Sequence, residues 1–403
     1  MSNSMEPTLS AELQQAVLQG VDTQRLLDTA VALIEVPSPT RSAGAVADRL
    51  AQILTDDGFV VERPVANWPE APAVVVRFDS GTPGPILQFN GHLDTVHLPF
   101  IPPRVEDDTL YGSGASDMKG GIAAFVEALR VLRDHDLLQA GGILLTAHDH
   151  HEGPWGDRRQ LHGLIAAGYT GDAVLLPEYL ADRLPVAGRG MAIFEVDIHR
   201  EGERIHETLR DPATPDVIAA GVELHRRLQA LNQQVAQITA PHAGHDSVFV
   251  GYFQAGEIFN QSPTLCKIKG TRRWVTPGQT EAVLAELQVI FDEVAAHTNT
   301  RMEVNFDVTG DAFRLDQSSS FVTAFQDAYR AVAGVPLVAG TKPFVDDGNI
   351  FAGTAGIPAI THGPNAFGAH TLEERVAVSE LTRVAQVYAL TALGFCRNAA
   401  AAS

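Results

Sequence analysis

The chain has 403 residues, more than one ordinary hydrophobic core accommodates, so we expect two domains. Hydrophobic residues make up 45% and charged residues 19% of the sequence, which is typical of a globular protein rather than a disordered one. The formal net charge of −20 argues against nucleic acid as a partner, because such a surface repels phosphate backbones.

Strand and helix patterns alternate in the first half of the chain. LLDTAVALIEVPS and AGAVADRLAQILTDDG have helical spacing, and in GGIAAFVEALRVLRDH the residues Ile122, Phe125 and Leu129 share one helical face. Short apolar runs bounded by Gly, Pro or Asp predict buried strands in APAVVVRF, PILQFNGHLD, GGILLTAHD and DAVLLPE. This alternation predicts an α/β fold, with a sheet covered by helices on both faces.

The pattern changes near Gly188. Apolar and polar residues alternate in GMAIFEVDIHREG and RMEVNFDVTG, as in strands with one solvent-exposed face. Two amphipathic helices are predicted between them. After about Asp311 the chain resumes long helices and a buried GIPAITHGP. The sequence therefore predicts a larger domain of residues 1–187 and 311–403, with a smaller α+β domain of residues 188–310 inserted into it.

Ionisable residues follow several predicted strands, which is where open α/β sheets bind ligands. His92 and Asp94 follow PILQF, Asp117 lies between a glycine-rich turn and a helix start, and Glu178 ends DAVLLPE. Each has an ordinary alternative, since a surface histidine beside a turn aspartate and a helix-capping aspartate are both common. Taken singly, these residues do not decide between structure and chemistry.

The stretch TAHDHHEGPWG places three histidines, an aspartate and a glutamate in five positions directly after an apolar run. Such residues cost free energy near a core unless they are paired or bind metal. The late segment THGPNAFGAHTLEER adds His362 and His370, either of which has an ordinary reading as a loop histidine. Together the clusters supply imidazole and carboxylate ligands suited to Zn²⁺ or Mn²⁺, and two metals sharing one carboxylate would activate water and polarise a carbonyl.

With these motifs the sequence resembles the co-catalytic metallopeptidase family of aminoacylase, acetylornithine deacetylase, succinyl-diaminopimelate desuccinylase and glutamate carboxypeptidase. The motifs occur in the family order, namely GHLDTV, GSGASDMKGG, the acidic loop within TAHDHHEGPWG, LLPE and GAHTLEE. The resemblance covers nearly the whole chain. It implies a zinc-peptidase-like α/β domain, with a mixed sheet flanked by helices, interrupted by a smaller α+β lid and dimerisation domain. It also implies two divalent metal ions (zinc or manganese, or else cobalt) and a homodimer formed through the lid.

The resemblance implies one set of ligands shared by two ions, with Asp117 bridging them and Asp94 orienting a histidine ligand. The ligands of the first ion would be His92, Asp117 and Glu178, and those of the second Asp117, Glu152 and His370.

The resemblance also implies three roles in the smaller domain. His206 would reach the active site of a neighbouring protomer and steady the oxyanion, a role that an imidazole N–H suits. Asn260 would lie near the substrate. Arg273, rather than Arg272, would hold a substrate carboxylate with its guanidinium fork, although an arginine on a surface strand also pairs with acidic neighbours.

The acidic loop departs from the family pattern, in which an aspartate is followed by two glutamates, the first a general base and the second a metal ligand. We prefer the register that keeps Glu152 as the ligand beside GPWG, which makes His151 the base. Histidine has an ordinary pKa of ~6.5 and acts as a base without unusual burial. Two other registers remain open, one with His151 as ligand and Glu152 as base, the other with Asp149 as base.

These inferences predict a metal-dependent hydrolase that cleaves the C–N bond of a small molecule such as an N-acyl amino acid or short peptide. The alternatives are hydrolytic amine release from an unusual, for example aromatic, substrate, and a catalytically weak metal-dependent binding protein. Cys266 and Cys396 are too few for a disulfide framework, and neither a signal peptide nor an apolar run of membrane-spanning length is evident. We therefore expect a cytoplasmic protein without a membrane partner.

Overall fold

The computed structural model describes residues 9–397. The expectation that no signal peptide is present rests partly on residues 1–8, which lie outside the described residues. No α-helix of the described part is both long and apolar enough to cross a membrane.

The chain divides into two compact units. The first comprises Met1–Val186, Leu315–Gly340 and Gly356–Ser403, and the second comprises Ala187–Arg314 and Thr341–Ala355.

Helices and strands are numbered in chain order. The α-helices are α1 (Ala11–Gly20), α2 (Thr23–Ile34), α3 (Gly44–Asp56), α4 (Lys119–Asp134), α5 (Arg159–Ala166), α6 (Val217–Val235), α7 (Thr280–Thr298), α8 (Ser320–Ala333) and α9 (Val378–Cys396). The strands are β1 (Val61–Glu62), β2 (Val74–Asp79), β3 (Ile86–His92), β4 (Arg104–Glu106), β5 (Thr109–Tyr111), β6 (Gly142–His148), β7 (Ala173–Leu176), β8 (Leu184–Gly188), β9 (Gly190–His199), β10 (Ile205–His206), β11 (Thr239–Ala240), β12 (Gly244–His245), β13 (Ser247–Ala255), β14 (Gln261–Ser262), β15 (Leu265–Trp274), β16 (Arg301–Gly310), β17 (Phe313–Arg314), β18 (Ala339–Thr341), β19 (Ala359–Thr361), β20 (Ala366–Phe367) and β21 (Arg375–Ala377).

The first unit is built on a six-stranded mixed sheet of order β1-β2-β6-β3-β7-β19. Strands β6, β3, β7 and β19 run parallel, whereas β2 pairs antiparallel to β6 and β1 antiparallel to β2. Every residue of β6 is buried, as are all but the first of β3. Central parallel strands covered on both faces read as continuous apolar runs, which is why the sequence identified them. The predicted α/β fold class is confirmed.

The second unit contains a four-stranded antiparallel sheet of order β13-β15-β9-β16. Buried and partly exposed residues alternate along β9 and β15, because one face of the sheet packs on a core and the other does not. Helices α6 and α7 supply Leu224, Leu228, Leu287 and Phe291 to that core, and the sheet supplies Phe194 among others.

The segment Thr341–Ala355 belongs to the second unit, whereas the sequence analysis had placed it in the larger domain. The side-chain amide of Asn349 donates to the carbonyl oxygens of Arg189 (2.8 Å) and Asp311 (2.9 Å), both of which are in the second unit. These contacts join residues far apart in sequence, so periodicity gave no sign of them.

Candidate metal centre

The candidate site lies at the carboxyl ends of three neighbouring strands of the large sheet. β3 ends at His92, β6 ends at His148 beside it, and Glu178 follows β7 by two residues. Asp117 precedes α4 by two residues, and within the first turn of that helix a Cβ atom on Gly121 would lie 2.5 Å from the carbonyl oxygen of Pro177. The glycine therefore allows the start of α4 to approach the end of β7.

Asp117 faces a different histidine with each of its carboxylate oxygens. Oδ1 lies 3.1 Å from Nε2 of His92, and Oδ2 lies 3.1 Å from Nε2 of His370. The same His370 nitrogen lies 3.2 Å from Oε1 of Glu152. Asp117 and Glu152 are buried, and His92 is completely so.

His151 and Glu178 lie on the His92 side of this arrangement. Oε1 of Glu178 is 3.9 Å from Nε2 of His92 and 3.8 Å from Nε2 of His151. Two groups of buried donors each converge within 4.8 Å, namely His92, His151 and Glu178, and His92, Asp117 and Glu152. Both groups have the composition and spacing of a cation site.

The carboxylate of Asp94 fixes the histidine-rich loop (residues 149–152) rather than orienting the ring of His92. The carboxylate accepts hydrogen bonds from the main-chain N–H groups of His151 (3.1 Å) and Glu152 (2.8 Å). Nδ1 of His92 instead lies 2.9 Å from the main-chain oxygen of Asp94, and 3.7 Å from its carboxylate. The main-chain oxygen of Asp94, rather than its carboxylate, is therefore the group nearest to Nδ1 of His92. A carbonyl only accepts, so Nδ1 carries a proton, and in the neutral ring Nε2 would be the nitrogen with the lone pair for a metal.

The carboxylate of Asp149 forms its hydrogen bonds outside the groups of converging metal donors. Its carboxylate accepts hydrogen bonds from the main-chain N–H groups of Arg41 (2.9 Å), Ala43 (3.0 Å) and His150 (2.6 Å). It fastens the segment before α3 to the histidine-rich loop, and it belongs to neither group of converging donors. The register that makes Asp149 the general base is therefore disfavoured.

The pKa values in the cluster are set by burial and by the close contacts between its histidines and carboxylates. The pKa of His370 rises to about 10, because the hydrogen bonds that the protonated ring donates to Asp117 and Glu152 favour its charged form. Burial alone would lower the pKa of His92, but Asp117 raises it well above its ordinary value. Burial alone would likewise raise the pKa of Asp117, but the two histidines hold it well below its usual range.

The donor set suits divalent metal ions. The Nε2 atoms of His92 and His370 each face two carboxylate oxygens, which is more than one N–H satisfies. Ligands of a tetrahedral Zn²⁺ stand about 3.4 Å apart, given metal–ligand distances of about 2.0–2.1 Å. The spacings of 3.1–3.9 Å around these nitrogens are close to that value.

In the second unit, His206 and Asn260 lie together. The amide of Asn260 is 3.1 Å from Nε2 of His206, and strands β10 and β14 pair beside them. Nδ1 of His206 accepts a hydrogen bond from the main-chain N–H of Thr208. The His206 side chain is exposed, and its two ring nitrogens contact Thr208 and Asn260.

The two candidate arginines of the second unit differ in their surroundings. The guanidinium of Arg272 is buried and bonded to Asp246 (3.0 Å) and Glu286 (3.1 Å). Burial lowers the pKa of Arg273, and the neighbouring charge of Arg189 lowers it further. Arg272 is therefore engaged within the fold, whereas Arg273 experiences a cation as its main charged neighbour.

Comparison with known proteins identifies the family. Residues 88–394 match the model described as peptidase family M20/M25/M40. The chain belongs to this peptidase family. It is thus a metal-dependent hydrolase that acts on amide bonds, as the sequence analysis predicted.

Similar proteins cover more than nine-tenths of the chain. A succinyl-diaminopimelate desuccinylase from Methylorubrum populi is 29% identical over 386 residues, which cover 91% of this chain and 97% of that protein. A tripeptidase from Staphylococcus aureus has a TM-score of 0.78 at 20% identity, covering 94% and 100% of the two chains. A Bacillus subtilis protein described as a dinuclear metal-binding peptidase of family M20 has a TM-score of 0.67 at 17% identity, covering 93% and 98%. These structures share the fold of this M20 protein.

Two buried charged residues beside the M20 motifs were not recognised from the sequence. Lys119 follows Asp117 by two residues and donates to the carbonyl oxygen of Val36 (2.8 Å), and burial lowers its pKa to about 7. Glu374 follows His370 by four residues, and burial raises its pKa to about 7. The only available signal was their position inside DMKGG and HTLEE, since their partners are distant in sequence.

Proposed function

We propose that the protein hydrolyses the amide bond of a small molecule, such as an N-acyl amino acid or a short peptide, with two divalent metal ions. Asp117 would bridge the ions. The observation that carries this proposal is the placement of its two oxygens against two different histidine nitrogens, each at 3.1 Å. The proposed ligands of the first ion are His92, Asp117 and Glu178, and those of the second are Asp117, Glu152 and His370.

When bound, the two ions would supply an activated water and polarise the substrate carbonyl. Imidazole and carboxylate donors suit zinc, manganese or cobalt, and we propose one of these metals. The description of the Bacillus subtilis relative as a dinuclear metal-binding peptidase supports a stoichiometry of two.

His151 would act as the general base. It would take the proton from the attacking water and pass it to the leaving amine, a role that histidine performs most often among side chains. Its Nε2 lies 3.8 Å from Glu178 at the His92 side of the cluster, which supports a position beside the reacting atoms. The Asp94 carboxylate, bonded to the main chain of His151 and Glu152, would fix the loop that carries both.

His206 would donate its Nε2 proton to the oxyanion in the active site of a neighbouring protomer. The exposure of the His206 side chain supports this role, since a neighbouring chain can reach its Nε2. Asn260, 3.1 Å from that nitrogen, would contact the substrate in the same region. Arg273 would bind the substrate carboxylate, and the neighbouring charge of Arg189 supports an anionic ligand there.

A homodimer through the second unit would follow from this use of His206. The outer strand β13 carries exposed Phe249, Tyr252 and Phe253, and the nearby Phe259 is almost fully exposed. An unpaired strand edge with exposed aromatic residues favours pairing with a second copy. Cys266 and Cys396 are free and buried, which supports a reducing compartment and the proposed cytoplasmic location.

Family membership favours amide hydrolysis over the two alternatives, amine release from an unusual substrate and metal-dependent binding without turnover. The test is metal content and turnover on a panel of N-acyl amino acids and dipeptides, before and after chelation. We expect two metal ions per chain, activity on at least one amide, and loss of that activity on chelation with recovery on adding zinc, manganese or cobalt. Stoichiometric metal without turnover of any amide would contradict the proposal.

A further inference from the structure

Glu374 is a buried glutamate whose carboxylate accepts four hydrogen bonds from a single turn. Oε2 accepts from the main-chain N–H of Gly114 (2.8 Å). Oε1 accepts from the main-chain N–H groups of Ser116 (2.9 Å) and Asp117 (2.8 Å), and from the Ser116 hydroxyl (3.1 Å). The turn of residues 114–117 therefore surrounds the Glu374 carboxylate, and this turn ends at Asp117, the proposed bridging ligand.

The segment that carries Glu374 also carries His370, the proposed ligand of the second ion. The main chain joins this segment to the same turn, because Gly112 donates its N–H to the carbonyl oxygen of Glu374 (3.2 Å) and Arg375 pairs with Tyr111 between β21 and β5. Two segments more than 250 residues apart in sequence are thus fixed to each other beside the cluster.

We propose that Glu374 is a positioning residue for both metal ions. It would set the distance between the Asp117 carboxylate and the His370 imidazole by holding the main chain of the first against the segment of the second. This inference rests on the proposed two-metal function, and it assigns Glu374 no contact with metal or substrate.

The four donors explain why a carboxylate is required at this position. A glutamine has one acceptor oxygen and one NH₂ donor, so either Gly114 or the Ser116–Asp117 pair would face an N–H instead of an oxygen. Glu374→Gln would thus preserve the size of the side chain while leaving buried donors unsatisfied. Partners behind metal ligands commonly change metal affinity by about 10- to 100-fold when they are replaced.

The experiment compares metal dissociation constants of Glu374→Gln and Glu373→Gln with those of the wild-type protein, at a temperature where all three are folded. Glu373 is the matched control, since it is the preceding residue and its side chain is exposed. We expect at least about 10-fold weaker binding of both ions in Glu374→Gln and wild-type binding in Glu373→Gln. His370→Ala, which removes a ligand of one ion, should weaken mainly the second ion. A role only in fold stability would lower the melting temperature of the metal-free variant and leave these constants unchanged.

Wild-type metal affinity in folded Glu374→Gln would overturn the inference. If that variant does not fold, Glu374→Asp keeps the charge but shortens the side chain, and we expect metal binding weakened several-fold. Unchanged binding in Glu374→Asp would then overturn the inference. Wild-type protein that binds no divalent metal would instead overturn the proposed function itself, and wild-type protein that binds metal but hydrolyses no amide would leave the role of Glu374 standing.

Discussion

The imidazole rings of His92 and His151 lie face to face, with their centroids 4.0 Å apart and an angle of 6° between their planes. The Nε2 atoms of both rings approach the same carboxylate oxygen of Glu178. His151 therefore occupies a place where it serves either as a base next to the first ion or as one more ligand of it.

Metal binding should release protons, because two proposed ligands are protonated without metal. The pKa of His370 is raised to about 10 by Asp117 and Glu152, and that of His92 is raised by Asp117 despite burial. Both rings must lose a proton to bind metal, so affinity should weaken as the pH falls. Calorimetric titrations at pH 7.5 in buffers of different ionisation enthalpy should give a net proton release.

The control is His245→Ala, which removes an exposed histidine of the second unit and should leave the release unchanged. His370→Ala should reduce it. Equal apparent enthalpies in every buffer would refute the predicted protonation of the cluster.

His362 should make the fold less stable in mild acid. Burial, helped by the charge of Arg383, lowers its pKa to about 3 from an ordinary value of 6.5. Between these values the unfolded chain binds the proton and the folded chain does not, so stability is complete above pH 6.5 and declines as the pH falls. The free energy of unfolding should drop by about 2 kcal/mol between pH 7 and pH 5 from this residue alone.

The measurement is urea unfolding of the wild-type protein and His362→Gln at both pH values, with the difference between the two proteins isolating His362. The glutamine oxygen still accepts from Arg383, which donates to Nε2 at 3.3 Å in the folded protein. The same pH dependence in both proteins would show that His362 is not the group responsible.

Arg273 and Arg272 should affect different properties. Arg273→Ala should raise KM by about 10-fold or more for a substrate with a free carboxylate, since hydrogen bonds to charged groups contribute about 1.5–3 kcal/mol. The KM of the matching carboxamide should not change. Arg272→Ala removes the buried partner of Asp246 and should lower the free energy of unfolding by about 3–5 kcal/mol. An equal rise in KM for acid and amide substrates would exclude the proposed contact with the carboxylate.

His206 should act in a neighbouring protomer. His206→Ala should keep its metal and lose about 10²- to 10³-fold in kcat, the usual cost of an oxyanion donor. Mixing His206→Ala with Glu152→Ala subunits should restore activity, because one active site of the mixed dimer then has both residues. Each variant alone is the control. No recovery in a mixture shown to contain mixed dimers would mean that His206 does not act across subunits.

The sequence predicted the elements that carry the site better than the contacts within it. The apolar runs before His92 and Glu178 are readable because buried parallel strands lack polar alternation, and the ends of such strands converge by topology. The use of the Asp94 carboxylate by the main chain of the histidine-rich loop was not predictable, since it depends on the exact path of that loop. The four hydrogen bonds of Glu374 and the placement of residues 341–355 in the second unit were equally unpredictable, because they arise from contacts between segments distant in sequence.

The most direct test of the account is to measure metal content and kcat together in His151→Ala and Glu152→Ala. If His151 is the base and Glu152 a ligand, His151→Ala keeps two metal ions and loses about 10²- to 10⁴-fold in kcat, whereas Glu152→Ala loses metal. His151→Glu, which places a carboxylate base at the same position, should recover part of the rate with full metal content. Metal loss in His151→Ala, with full metal content and a lost rate in Glu152→Ala, would contradict these assignments.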